Sequence, residues 1–332
     1  MKEETRKKIA WVLGRLHIFS LARSARCCFQ HLEDARYDIC HLGGLKPENA
    51  TYRMACLILL CHKIEKGLCM PEFRKGFGQD AVWQLLQLLE SYLKSGFGPD
   101  HVEINEALSV LHEYRKVHQE IGYSLDARLL EKIGEVVDNA DFTPHGQLQM
   151  SAESYWAHTH AEFPLFAASR HSVRDFCGKV SYKQIEQAIS LACTAPSACN
   201  RQHVRVHTYE DEKATALLSL QNGNRGFGHL CKQLIVVTAD RNALFTTKER
   251  HDGYTNGGIF AMNLSYSLHY YHVGHCILNW STTSSVNAEF KKLAEIPDNE
   301  VVVLLMACGQ VKESFKVARS ARRPADEIYT RH

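Results

Sequence analysis

The sequence predicts an α+β domain preceded by an all-helical one, and three observations carry that prediction. Up to residue 137, apolar residues recur at helical spacing. The stretch Asp138-Asn139-Ala140-Asp141-Phe142-Thr143-Pro144-His145-Gly146 then concentrates turn-forming residues. From Phe163 onward, helical patterns alternate with short Val/Ile/Leu runs of strand character. A helical domain is therefore expected over 1–137, a linker over 138–162 and the α+β domain over 163–332.

Composition narrows the function. A chain of 332 residues, 45% apolar and 23% charged, can bury two cores and has the balance of a soluble globular protein. A net charge of +2 gives no case for nucleic acid as a partner. The longest apolar run, Met54 to Cys61, is too short to cross a bilayer, and the start Met1-Lys2-Glu3-Glu4-Thr5-Arg6-Lys7-Lys8 is charged, unlike a secretory leader. The 12 cysteines include no Cys-x-x-Cys pair, which suits small buried side chains in a reducing compartment. A cytoplasmic protein is expected.

In the first half, Trp11, Leu13, Leu16, Ile18, Phe19 and Leu21 crowd one segment. A packing helix is preferred there over a membrane-surface contact of its basic start. Thr51 to Lys66 reads as a helix stopped by Gly67. Gly76-Phe77-Gly78-Gln79-Asp80 and Gly96-Phe97-Gly98-Pro99-Asp100 each read as a helix start in which the Asp caps free backbone N–H groups. The apolar stripes that follow them, and another over Ser124 to Val137, must be buried against a partner surface. His62 and Glu65, three apart, could share a helix face, but no second His or Cys stands at a ligand spacing, so a helix-end salt bridge or an interdomain contact is the expected role.

In the second half, Ser181 with Gln184 has the form of a capping box, and Ile185, Ala188, Ile189 and Ala192 form the stripe of the helix it opens. Strands are expected at Val204–Tyr209, Gln233–Thr238 and Val301–Ala307, the last two apolar enough to be buried on both faces. Gly223-Asn224-Arg225-Gly226-Phe227-Gly228 has its glycines in the wrong order for a dinucleotide fingerprint, so a Rossmann domain is unsupported. A long apolar helix follows from Gly253 to Leu268. His269, His272 and His275 fit one helix face only loosely, and a polar helix end is preferred over zinc ligation.

Two segments carry chemistry. Ser169-Arg170-His171-Ser172-Val173-Arg174-Asp175-Phe176 places two guanidinium groups and a hydroxyl within five residues, a donor set suited to a phosphate, although on charge alone a solvated basic turn is the preferred reading. One helix later stands Ala195-Pro196-Ser197-Ala198-Cys199-Asn200-Arg201-Gln202. This pair of motifs in this order resembles the opening of the nitroreductase family of FMN oxidoreductases. The C-terminal Arg322-Arg323-Pro324-Ala325-Asp326-Glu327 is similar to that family's Arg-x-Pro-x-x-Glu element.

The resemblance covers residues from about 165 to 330 and implies a mainly antiparallel central sheet flanked by helices. It implies that Arg170, His171, Ser172 and Arg174, with Arg322 or Arg323 and more weakly Arg319, face the FMN phosphate. Pro196, Ser197, Asn200 and Gln202 would line the flavin cavity of the neighbouring subunit of a homodimer, Asn224 would offer an amide to the flavin's pyrimidine edge, and Cys276, Ile277 and Leu278 would run beside the ring. One departure stands out: His203 and Val204 occupy the positions where the family usually has Pro and an aromatic residue. The implied activity is FMN-dependent hydride transfer from NAD(P)H to a small electrophilic molecule (nitro, quinone or enone-like), or the dehydrogenation of a biosynthetic intermediate. A degenerate flavin-binding module, with an interaction role for the helical half, is the alternative.

Overall fold

The structure, a computed structural model, describes residues 18–94 and 101–332. The segment around Trp11, Leu13 and Leu16 and the Gly96–Asp100 helix start lie outside the described residues.

Helix α1 (Ile18–His41) keeps Leu21, Phe29, Leu32 and Tyr37 exposed and is tied to the second half where Asp34 pairs with Arg250. The next four helices, α2 (Ala50–Leu68), α3 (Gln79–Lys94), α4 (Val102–Glu120) and α5 (Ala127–Val137), close around one core that includes Leu57, Ile64, Leu85, Leu108, Tyr114 and Ile133. Asn49 caps α2 by accepting from Tyr52 N at 3.1 Å, and Asp126 caps α5 by accepting from Leu129 N at 3.0 Å, each satisfying one free donor of the first turn. Gly67 does not stop α2, which runs on to Leu68. A Cβ there would lie 2.1 Å from the Phe77 ring, so the glycine serves a close approach. Asp80 sits inside the first turn of α3, beyond the cap position, where its charge complements the helix dipole.

The expected linker divides. Ala140 and Phe142 pack on the helical core, whereas residues 148–156 belong to the second half. Strand β1 (Leu148–Ser151) turns Leu148 and Met150 toward the second core, and α6 (Ala152–Trp156) buries Tyr155 completely behind a Ser151/Ser154 capping box. These elements are too short for apolar periodicity to reveal.

The second half is built on an antiparallel sheet. Its strands are β2 (Phe176–Gly178), β3 (Val204–Glu210), β4 (Gln233–Asp240), β5 (Gly274–Asn279) and β6 (Glu300–Val311), in the order β2-β6-β4-β3 with β5 also paired to β6. A separate pair joins β1 to β7 (Ser314–Val317). Because successive strand residues point to opposite faces, β4 sends Leu234 and Val236 into one core and Ile235 and Val237 into another. Helices α9 (Asp211–Ser219) and α11 (Ser284–Ala294) cover the first face, and α8 (Tyr182–Ala192) with α10 (Asp252–Tyr270) covers the second. The near-continuous apolar runs follow from this double burial. Ser181 and Gln184 form the expected capping box of α8. None of the 12 cysteines is in a disulfide, and among the described residues no helix is long and apolar enough to cross a membrane.

Candidate functional site

The first arginine motif is fixed by its backbone. After α7 (Phe163–Ser169), Val173 N donates to His275 O on β5 at 2.9 Å, and Tyr155 Oη donates to His171 O at 3.0 Å. Held at these points, the segment lets Arg170, Ser172 and Arg174 border a common space while Val173 and Phe176 enter the core.

The chain end returns to the same place. Beyond β7, residues 318–323 cross the site, and a cleft of about 460 Å³ forms between the two segments. Arg170, His171, Ser172, Arg174, Arg319, Ser320 and Arg322 line it, with Met262 and Tyr266 of α10, and among the described residues no carboxylate does. Among the described residues none of these four arginines forms an ion pair. Arg174 is buried, and its Nε has no hydrogen-bond partner among the described residues. Burial, then the fields of Arg170 and Arg322, push the His171 pKa down. Such a donor set, short of acceptors, suits a multiply charged anion.

A second cleft of about 400 Å³ shares Ser172, Arg174, Ser320 and Arg322 and opens between the two halves of the chain. Its other walls are Cys61, His62 and Glu65 of α2, Glu103 and Glu106 of α4, and Ile277 of β5. Burial, then Arg174 and Lys66, hold His62 down at about 4, so it is neutral at pH 7 and its 3.9 Å approach to Glu65 is not a salt bridge there. Glu65 instead reaches across to accept from Ser320 N at 2.8 Å, the interdomain contact that was one of its two expected roles. Glu106 is pushed up to about 7, first by burial and then by Glu65. His145 Nε2 lies 3.2 Å from Glu106 Oε2, and among the described residues that oxygen accepts no hydrogen bond.

The remaining expected positions are distributed as follows. Pro196, Asn200 and Gln202 are exposed and Ser197 is half-buried, and none of them lines either cleft. Their loop is rigidly built: Ala198 N donates to Asn256 Oδ1 at 3.0 Å, Gln202 N donates to Ser197 Oγ at 2.9 Å, and Cys199, Asn200 and Gln202 adopt positive φ. His203 is buried with no partner for either ring nitrogen. Asn224 Nδ2 donates to Leu218 O at the end of α9 and to Gln221 O, and Asn224 borders neither cleft. Along β5, Cys276 and Leu278 face the core and Ile277 faces the interdomain cleft, as strand alternation requires. Arg323 lines the interdomain cleft paired with Glu103, whereas Arg322 borders both clefts.

His269, His272 and His275 find three different hydroxyl partners, Ser169, Thr159 and Ser265, at 2.8, 2.9 and 2.7 Å. Among the described residues the one cluster with metal-ligand geometry is His101, Glu103 and Glu327, and its Glu103 is the partner of Arg323. Sequence reasoning did not single out Ser320, Glu103, Glu106 or Tyr266, which carry no motif and reach the site only through tertiary contact.

No family model matches the sequence, and no curated protein matches it. Solved structures resemble about half of the chain. A nitroreductase family protein from Streptococcus pneumoniae TIGR4 is 22% identical over 52% of this chain and 100% of its own, with a TM-score of 0.45. A nitroreductase family protein from Clostridium difficile 630 is 18% identical over 50% of this chain and 95% of its own, with a TM-score of 0.42. An FMN-dependent nitroreductase from Clostridium difficile R20291 is 19% identical over 48% of this chain and 92% of its own, with a TM-score of 0.40.

Proposed function

We propose that the second half binds FMN with its phosphate in the arginine cleft, and that the chain is an FMN-dependent oxidoreductase drawing electrons from NAD(P)H. The observation that carries this reading is the convergence of Arg170, Arg174, Arg319 and Arg322 with Ser172 and Ser320 around a space bordered by no carboxylate. A phosphate dianion accepts from guanidinium and hydroxyl groups together, and it would give Arg174 Nε the acceptor that the protein does not supply. The residues present therefore fit the group.

The flavin, when bound, supplies hydride-transfer chemistry, and the protein supplies position and field. Arg170, Arg174 and Arg322 fix the phosphate and so set the register of the whole cofactor. Ile277 gives the interdomain cleft an apolar surface at the sheet edge, and the helical half closes that cleft from the other side. Glu106, about half protonated near pH 7, can hold or release a proton at Oε2 inside the same cleft. The substrate class proposed is a small electrophilic molecule of nitro, quinone or enone type, or a biosynthetic intermediate that is dehydrogenated.

Assembly as a homodimer belongs to the same reading. The motif residues Pro196, Ser197, Asn200 and Gln202 lie apart from the clefts of their own chain. Helix α10 presents Tyr254, Ile259, Met262 and Tyr270 to solvent, an apolar face beside the arginine cleft that a second copy would cover. A cytoplasmic location is proposed from the free cysteines.

The test is direct. Protein purified without added flavin, or incubated with FMN and desalted, should show a flavin absorption spectrum that NAD(P)H bleaches in the absence of oxygen. Mass spectrometry of the released ligand should identify FMN. A colourless chain that takes up no FMN would overturn the proposal.

A further inference from the structure

We infer that Glu65 and Glu103, two buried carboxylates of the helical half, position the C-terminal arginine arm, so that the anion site of the second half is completed by the first. This rests on the reading of the arginine cleft as a phosphate site.

The arm has little to hold it locally. The last strand, β7, ends at Val317 and pairs only with β1. Residues 318–324 form no helix or strand, and among the described residues no backbone–backbone hydrogen bond involves residues 318–323. Arg319 and Arg322 are nevertheless brought beside Arg170 and Arg174. Like charges so placed repel one another while no anion lies between them, and repulsion alone would swing the arm outward.

Two side chains from two different helices oppose this. Glu65 of α2, 4% exposed, accepts from Ser320 N at 2.8 Å, and its second oxygen lies 3.5 Å from Ser320 Oγ. Ser320 has φ +51, a left-handed conformation that a non-glycine residue keeps only when its surroundings impose it. Glu103 of α4, 6% exposed, accepts from Arg323 Nε. The arm is thus clamped at 320 and 323, on either side of Arg322.

The choice of partners matters as much as their number. Glu65 binds a backbone N–H, and Glu103 takes the arginine that stays out of the arginine cleft. Neither carboxylate neutralises a guanidinium that lines the arginine cleft, so the cleft keeps its charge for a ligand. These are positioning residues, acting through Ser320 and Arg323.

The experiment uses the full chain in four variants, Glu65→Ala, Glu65→Gln, Glu103→Ala and Arg323→Ala, and two readouts. One is amide hydrogen exchange over residues 318–323 in the ligand-free protein; the other is affinity for FMN and for inorganic phosphate. Glu65→Ala should speed exchange in the arm and weaken both ligands about tenfold, the scale of one lost charge-assisted hydrogen bond. Glu65→Gln keeps an oxygen that can accept from Ser320 N and should restore most of both properties, a rescue that loss of packing alone would not explain. Arg323→Ala changes a side chain that is 41% exposed and leaves the helical core intact, and it should reproduce the effect of Glu103→Ala. A fifth variant, Glu103→Ala/Arg323→Ala, should be no worse than either single one. Wild-type exchange and wild-type affinities in Glu65→Ala and Arg323→Ala would overturn the inference. If the unmodified chain binds no FMN while Glu65→Ala still frees the arm, the positioning role stands and the FMN reading falls.

Discussion

Arg174 and Glu106 are opposite charges facing the same interdomain cleft, each with a buried atom that lacks a hydrogen bond, and their chemistry leads to separate predictions. Arg174→Ala removes a buried guanidinium whose proposed role is a charge-assisted bond to phosphate. FMN affinity should fall by about ten- to a hundredfold, the equivalent of ~1.5–3 kcal/mol, with the melting temperature little changed or raised. Titration of the flavin-free variant by fluorescence quenching checks this. For Glu106 the sign follows from its raised pKa: between 4.5 and about 7 the folded chain holds a proton that the unfolded chain has released. Stability therefore declines as pH rises through that window, by up to about 3 kcal/mol. Glu106→Gln should match the wild type near pH 4.5 and be the more stable protein at pH 8. The buried histidines, His62 held down at about 4 and His269 at about 3, act in the opposite sense, costing stability as pH falls below 6.5. They are common to both proteins and cancel in the difference between urea titrations. Parallel curves for the two proteins would contradict the assignment.

At the scale of elements, legibility in the sequence followed length and repetition. Strands β4 and β6 declared themselves because burial on both faces leaves few polar interruptions, and α8 did so because its capping box and stripe agree. Strand β1 and helix α6 did not, since 4 and 5 residues hold too few repeats for any period and their stability comes from β7 and the second core. Gly67 looked like a stop signal when it is a space for Phe77, a distinction that only the tertiary contact makes. Adjacent glycines in α10 allow a matched test. A Cβ at Gly257 would lie 2.6 Å from Val303 Cγ2 on β6, whereas at Gly258 it would meet nothing within 4 Å. Gly258→Ala should stabilise by ~0.5–1 kcal/mol through helix propensity. Gly257→Ala should instead lose ~1–3 kcal/mol, since overpacking against the sheet outweighs that gain. Chemical denaturation of the two variants reads the difference, and equal shifts would show that α10 and β6 do not pack as described.

At the scale of the whole molecule, the sequence shows the candidate arginines but not their setting. Arg170, Ser172 and Arg174 form a local cluster that composition marks, whereas Arg322 or Arg323 is pointed to only by the resemblance of the C-terminal segment to a family element. The walls contributed by the helical half could not be found in either way: Ser320 meets Glu65 across 255 residues and Arg323 meets Glu103 across 220, with no local pattern to mark either pair. The helical half is consequently part of the candidate site, while the break in pattern near residue 138 reports only where one core gives way to another. Assembly offers a prediction on the same scale. If α10 forms the seam of a homodimer, Ile259→Arg should place a charge in it, and light scattering should find a monomer that no longer retains flavin; a flavin-loaded monomer would contradict the dimer reading.

In the proposed site four arginines gather to hold a phosphate, and FMN and riboflavin differ by that phosphate alone. Titrating both into the flavin-free chain at fixed ionic strength measures its contribution without any assumption about substrate. The wild type should bind FMN at least about a hundredfold more tightly than riboflavin, and an Arg174→Ala/Arg322→Ala variant should lose most of that preference while its residual riboflavin affinity stays the same. Equal affinity of the wild type for the two flavins, or an undiminished preference in the variant, would contradict the account.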